Sequence, residues 1–350
     1  TFLLAVNQRN FAGTLAWVLI VGYVLTNAVY AVTFGEYLGH VIGLGPWVPR
    51  VTGIAIIALF ILLNLRGVGV TGGVEILLVW FKVVALLGLA SWGLIHWNPP
   101  ALSQGVPDAS LLAALFGAAS VFMAYEGFQL LTYDYEDIDN PKRTLPRAVL
   151  SAIIVVILIY VMVALGTTML IGADHVILHK EVALAIAGEK AFGTVGLVLV
   201  TIAAAFSTGS AINATLFATA RLTHRVALDG ELPAAVDHHN RQGAPDRAVI
   251  GLGVIAAVLV ATGSLIALVE AASLTFLFTF AVVCTLAFRL RAGHRLITGF
   301  GALTGALACV ALVVQLLQSD PVALVFLGVL VLIALFGRPL LLRKLGPHQP

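Results

Sequence analysis

Apolar stretches of bilayer length recur along almost the whole chain, and that recurrence limits the fold before any single residue is considered. Ten candidates lie near 11–39, 50–65, 73–95, 110–135, 146–171, 192–228, 248–268, 270–291, 296–317 and 321–342. A hydrocarbon core about 30 Å thick needs about 20 apolar residues per helix. Hydrophobic residues make up 60% of the chain and charged residues 10%. Soluble domains carry about 45–50% and about 25%. The expectation is an all-α polytopic membrane protein of ten spans, in a single transmembrane domain over residues 1–350.

The charges sit in blocks, and the blocks set orientation. One set of loops holds fifteen Lys and Arg, from Arg9 through Arg143 and Arg221 to Lys344, and the opposite set holds Arg50, Lys180 and Lys190. By the positive-inside rule the basic set is cytoplasmic. The N-terminal edge and the C-terminus then share the cytoplasmic side, which requires an even number of spans. Cys284 and Cys309 both lie in apolar segments and form neither a disulfide framework nor a metal spacing. The chain opens on Thr1 without a signal peptide, and reads as a piece that lacks its beginning.

Residues 122–147, FMAYEGFQLLTYDYEDIDNPKRTLPR, carry the most chemistry. Glu126 and Gly127 stand at membrane depth in an apolar segment, which turns acidic and then basic after Asn140-Pro141. Non-helical backbone at that depth is tolerated only inside protein or along a cavity, and an ionisable group there is a functional hypothesis by default. Unwinding at Gly127 would free carbonyls for an ammonium and turn a half-helix N-terminus toward a carboxylate. That chemistry suits a zwitterion such as an amino acid. Glu126 would attract a cationic group or exchange a proton. The plainer alternative is a packing glycine, with Glu126 hydrogen-bonded to a neighbouring helix.

Lys82 lies in the third segment, about 15 Å from its start by helix rise. A lysine at that depth costs about 2.5–3.5 kcal/mol on insertion scales. It must be paired, hydrated or deprotonated, so it reads as a proton carrier or as a fixed cation in place of a sodium ion; snorkelling to an interface is the alternative. The stretch 205–213, AFSTGSAIN, offers hydroxyls that would accept from Lys82, or simply small residues for close helix packing. His238-His239 reads as part of a solvated loop without a partner at metal spacing, and Glu270 as the start of an apolar segment. No phosphate loop, nucleophile elbow or zinc motif is visible. A membrane enzyme and a channel are therefore the remoter readings.

These features together resemble the amino-acid permeases of the amino acid–polyamine–organocation superfamily. Phe122 to Pro146 resembles the family's broken sixth helix, followed by its Asn-Pro-x-Arg-x-x-Pro loop, here Asn140 to Pro146. Asn213 to Pro233 resembles the end of the eighth helix, with Ala220-Arg221 and Asp229-Gly230-x-Leu232-Pro233. The resemblance implies a LeuT-like fold of two inverted five-helix repeats, with family helices three to twelve present. The family's first two helices, including the other broken one, are absent from this sequence. Gln129 replaces an acid common in the family, and Glu126 an apolar residue.

What the resemblance implies is a secondary transporter of amino acids, proton-coupled or exchanging, in a prokaryotic plasma membrane. It implies alternating access, no enzymatic activity, no prosthetic cofactor and no nucleic-acid partner. Tyr125, Glu126, Gly127 and Phe128 would line the substrate site, with Asn27 facing it. Lys82 would be the proton-linked cation, bonded to Ser207 or Thr208. Glu136 and Arg143 would gate the cytoplasmic mouth. A polyamine or cationic amino-acid exchanger is the nearest alternative.

Overall fold

The computed structural model describes residues 9–67, 72–106, 110–228, 230–232, 236–319 and 328. Among them the secondary structure is entirely helical. The helices are α1 Arg9–Ile42, α2 Val48–Leu65, α3 Gly72–Ile95, α4 Leu111–Ser120, α5 Pro141–Ile171, α6 Ala173–His179, α7 Ala183–Leu228, α8 Asp246–Thr262, α9 Leu265–Arg289 and α10 Arg295–Ser319. Seven helical spans among the described residues are long and apolar enough to cross a membrane. The chain is an all-α polytopic membrane protein. The expected span 321–342 lies outside the described residues. The expected span 248–268 is α8, whose 17 residues reach about 25 Å.

α1 is the axis of the core. It packs against α2, α7, α8 and α9. Tyr23, Leu25, Ala28 and Ala31 of α1 are fully buried, beside Phe276 of α9 and Val249 and Val260 of α8. α5 is its opposite: its most apolar window is unburied, and Ile154, Leu158 and Val161 face outward. Outward apolar side chains without protein partners suit a lipid-facing helix, because lipid supplies the apolar surroundings. α3 and α5 meet backbone to backbone at Gly93 and Gly166. A Cβ on Gly166 would lie 2.5 Å from the Ala90 carbonyl oxygen, so only a residue without a side chain fits there.

Several boundaries differ from the sequence expectation. α5 begins at Pro141, five residues before Pro146, which sits inside the helix. Proline suits a first helical position because its missing N–H has no partner there anyway. The stretch 172–191 between two expected spans, which holds Lys180 and Lys190, is itself largely helical. It comprises α6 and the first arm of α7, which bends at Phe192-Gly193. The α8–α9 turn falls at Gly263-Ser264, where the Ser264 hydroxyl accepts 3.3 Å from the Ala267 N–H. Glu270 is therefore not at a segment start. It lies inside α9, buried, and accepts 3.1 Å from Gln315 Nε2 of α10.

Candidate substrate site at the broken helix

The expected span 110–135 is not one helix. Regular α-helix ends at Ser120, and a 3₁₀ turn runs from Phe122 to Tyr125. Glu126 is then extended (φ −76°, ψ 158°), and Gly127 takes φ 125° and ψ −28°. A second 3₁₀ stretch covers Phe128–Asp137. The break thus lies where Glu126-Gly127 predicts it, but the unwinding is longer than the glycine alone explains. 3₁₀ runs beyond a few residues are uncommon because their hydrogen bonds are poorly aligned.

Side chains from two helices, and Gln129 within the segment, supply bonds that the broken backbone lacks. Ser273 of α9 donates to the Ser120 carbonyl at 2.7 Å and accepts from the Met123 N–H at 3.0 Å. Tyr160 of α5 donates to the Ala124 carbonyl at 2.8 Å. Gln129 accepts from the Gly127 N–H at 3.0 Å, while its Nε2 reaches Tyr23 Oη of α1 at 3.1 Å and the Glu126 carboxylate. Aromatic rings wall the segment: Tyr125 packs on Tyr160 at 5.0 Å, and Phe128 stacks on Phe280 at 5.5 Å. Tyr125, Glu126, Gly127 and Phe128 are all half-buried.

Asn27 belongs to the same neighbourhood by helix arithmetic. Tyr23, Asn27 and Tyr30 share one face of α1, spaced by one turn each. Tyr23 touches Gln129, and Tyr30 is within electrostatic reach of Glu126. Asn27 stands between them. Its Nδ2 donates to the Tyr23 carbonyl at 3.2 Å, and its Oδ1 is buried with no hydrogen-bond donor among the described residues. A buried acceptor left empty costs about 1–3 kcal/mol. A donor arriving with a ligand would remove that cost.

Lys82 lies on α3, which packs against α7. It is half-buried midway along α3. The ring of its neighbour Phe81 meets Phe206 at 6.3 Å, so Lys82 and Ser207 flank one interhelical contact. Thr208 is buried, and its hydroxyl donates to the Ala204 carbonyl at 2.8 Å, leaving oxygen lone pairs to accept. Nearby, Asn64 of α2 donates to Asn213 Oδ1 at 2.9 Å. Arg143 is exposed in the first turn of α5, and its N–H donates to the Asn140 carbonyl at 2.9 Å. The Glu136 side chain lies outside the described ones, so the expected gating pair is half placed.

Sequence reasoning passed over Tyr23, Tyr160, Ser273 and Phe280. A serine in AASLTFLFTF reads as ordinary packing material, and only the three-dimensional pairing with Ser120 and Met123 distinguishes it. His239 was expected to lie in a solvated loop with no partner at metal spacing. Instead its ring meets that of His224 at 4.5 Å, and His224 Nδ1 lies 2.5 Å from Asp237 Oδ1.

Over residues 1–339 the sequence matches the family described as amino acid permease. The chain belongs to that family. Among similar proteins, an uncharacterized protein of Methanocaldococcus jannaschii is 33% identical over 232 residues, 65% of this chain and 53% of that protein. The inner membrane transport protein YbaT of Escherichia coli is 32% identical over 240 residues, 68% of the chain and 55% of that protein. The serine/threonine exchanger SteT of Bacillus subtilis is 24% identical over 205 residues, 58% of the chain and 46% of that protein. The permease chain thus spans about half the length of these relatives. Its family is one of membrane transporters and not of enzymes.

Proposed function

We propose that this permease contributes to secondary transport of amino acids, with the substrate seated against the Glu126–Gly127 break. The observation that carries this reading is the break itself. There two 3₁₀ stretches replace a regular helix, with backbone groups bonded by Ser273, Tyr160 and Gln129 and aromatic rings packed beside them. A zwitterion needs donors for its carboxylate and acceptors for its ammonium within a few ångströms. On this reading the Gly127 N–H would exchange Gln129 for the carboxylate, and Glu126 and the orphaned Asn27 Oδ1 would accept from the ammonium. Tyr125 and Phe128 would contact the substrate side chain.

Proton coupling is assigned to Lys82, with Ser207 and Thr208 as acceptors when it is charged. The family resemblance and the α3–α7 contact support this role. Alternating access would rock one helical bundle against the other around the break, with Arg143 and Glu136 at the cytoplasmic mouth. The loop charges support a cytoplasmic side for the basic loops, and the family resemblance supports a prokaryotic plasma membrane.

A polyamine or cationic amino-acid substrate is the second reading, favoured by the Glu126 carboxylate at the break. The test is uptake of labelled alanine by the intact protein in proteoliposomes, with and without an imposed proton gradient. Saturable, gradient-driven uptake with counterflow supports the first reading. Competition by putrescine or lysine stronger than by alanine supports the second. Absence of uptake for both substrate classes contradicts the proposal.

A further inference from the structure

We propose that His224, Asp237 and His239 form a binding site for a divalent transition ion of the zinc class at the end of α7. None of these residues belongs to the broken helix or to the Lys82 interface. His224 lies in the last turns of α7, while Asp237 and His239 come from the irregular segment that leads to α8. Their ligand atoms all fall within 4.8 Å of one another. Asp237 and His239 both turn toward His224, the carboxylate to its Nδ1 and the imidazole to its ring. The residue between them, His238, turns to the other side and meets Asp246 Oδ1 at 2.7 Å.

The donor set is two imidazoles and one carboxylate, a combination zinc accepts with its remaining positions open to water. Metal–ligand bonds of about 2.0–2.2 Å place tetrahedral ligand atoms about 3.3 Å apart. The His224–Asp237 pair at 2.5 Å would open slightly, and the wider separations would close. His239 is exposed and His224 and Asp237 are half-buried, so small side-chain rotations achieve this without moving the helix. A bound ion would tie the last turns of α7 to the connection with α8.

The test uses the intact protein, purified in detergent without a polyhistidine tag, stripped with chelator and titrated with Zn²⁺ against a chromogenic indicator. Loss of even an outer-shell partner typically costs 10–100-fold in metal affinity. One equivalent of Zn²⁺ per chain is expected, weakened about tenfold or more by His224→Ala, Asp237→Asn and His239→Ala, and unchanged by His238→Ala. His239 is exposed, so its replacement leaves the packing intact and keeps the test decisive. Equal binding by the wild type and His239→Ala overturns the proposal. So does a wild type that binds no stoichiometric ion, or an equal loss in His238→Ala.

Discussion

Ser273 is bonded to Met123 where α4 gives way to the 3₁₀ turn: its hydroxyl accepts the Met123 N–H at 3.0 Å while donating to the Ser120 carbonyl at 2.7 Å. One buried side chain on α9 therefore replaces hydrogen bonding that a continuous helix would supply for itself. Ser273→Ala strands a buried N–H and a buried carbonyl, at a cost of about 1–2 kcal/mol. Thermal unfolding in detergent should show a lower midpoint for Ser273→Ala, with Ser273→Thr close to the wild type. An unchanged midpoint for the alanine variant would show that the bridge adds nothing.

Gly127 tests backbone conformation separately from space. At φ 125° an L side chain is strained, yet an added Cβ would meet nothing within 4 Å. The cost of Gly127→Ala is therefore conformational, about 1–3 kcal/mol, and falls on the break. The variant is expected to insert normally and to lose about nine-tenths or more of amino-acid uptake. Wild-type uptake by Gly127→Ala would separate the break from transport.

The sequence exposed some of these relationships and concealed others for physical reasons. Membrane helices announce themselves by length and apolarity, so α1, α2, α3 and α10 lie close to their expected positions. Glu126-Gly127 announced the break because a charge beside a glycine is costly in lipid. Helix ends were harder to place: nothing local in the sequence showed that Ala183–Leu228 would bend at Phe192-Gly193 rather than begin there. The supports of the break were hidden because they come from afar in sequence, Tyr23 and Ser273 lying on α1 and α9. The same holds for His224 and His239, which only the return of the chain brings together.

Lys82 gives a prediction about pH. If it carries the coupled proton, Lys82→Ala removes the response of uptake to an imposed proton gradient while leaving counterflow measurable. Initial rates across a pH series in proteoliposomes provide the check. The same pH profile in variant and wild type would refute the proton role.

Asp246 gives a second pH effect, in the first turn of α8. The hydrogen bond from His238 holds its carboxyl below the usual aspartate range, aided by the Arg247 backbone N–H. A carboxyl depressed in the folded state stabilises it above the unfolded value, about 3.9, and that contribution is lost as pH falls through the lower native value. Asp246 is partly open to solvent screening, so the effect stays below about 1 kcal/mol. Hydrogen exchange across 236–249 should quicken more on acidification below pH about 4 in the wild type than in Asp246→Asn. Equal acceleration in both would remove His238–Asp246 as the cause.

The most direct measurement is an experimental structure of the intact protein with a bound amino acid. The account predicts the ligand against residues 123–128, its ammonium within hydrogen-bond distance of Asn27 Oδ1 or the Glu126 carboxylate, with Gly127 still at positive φ. A ligand seated elsewhere, beside a continuous helix through Gly127, would contradict it.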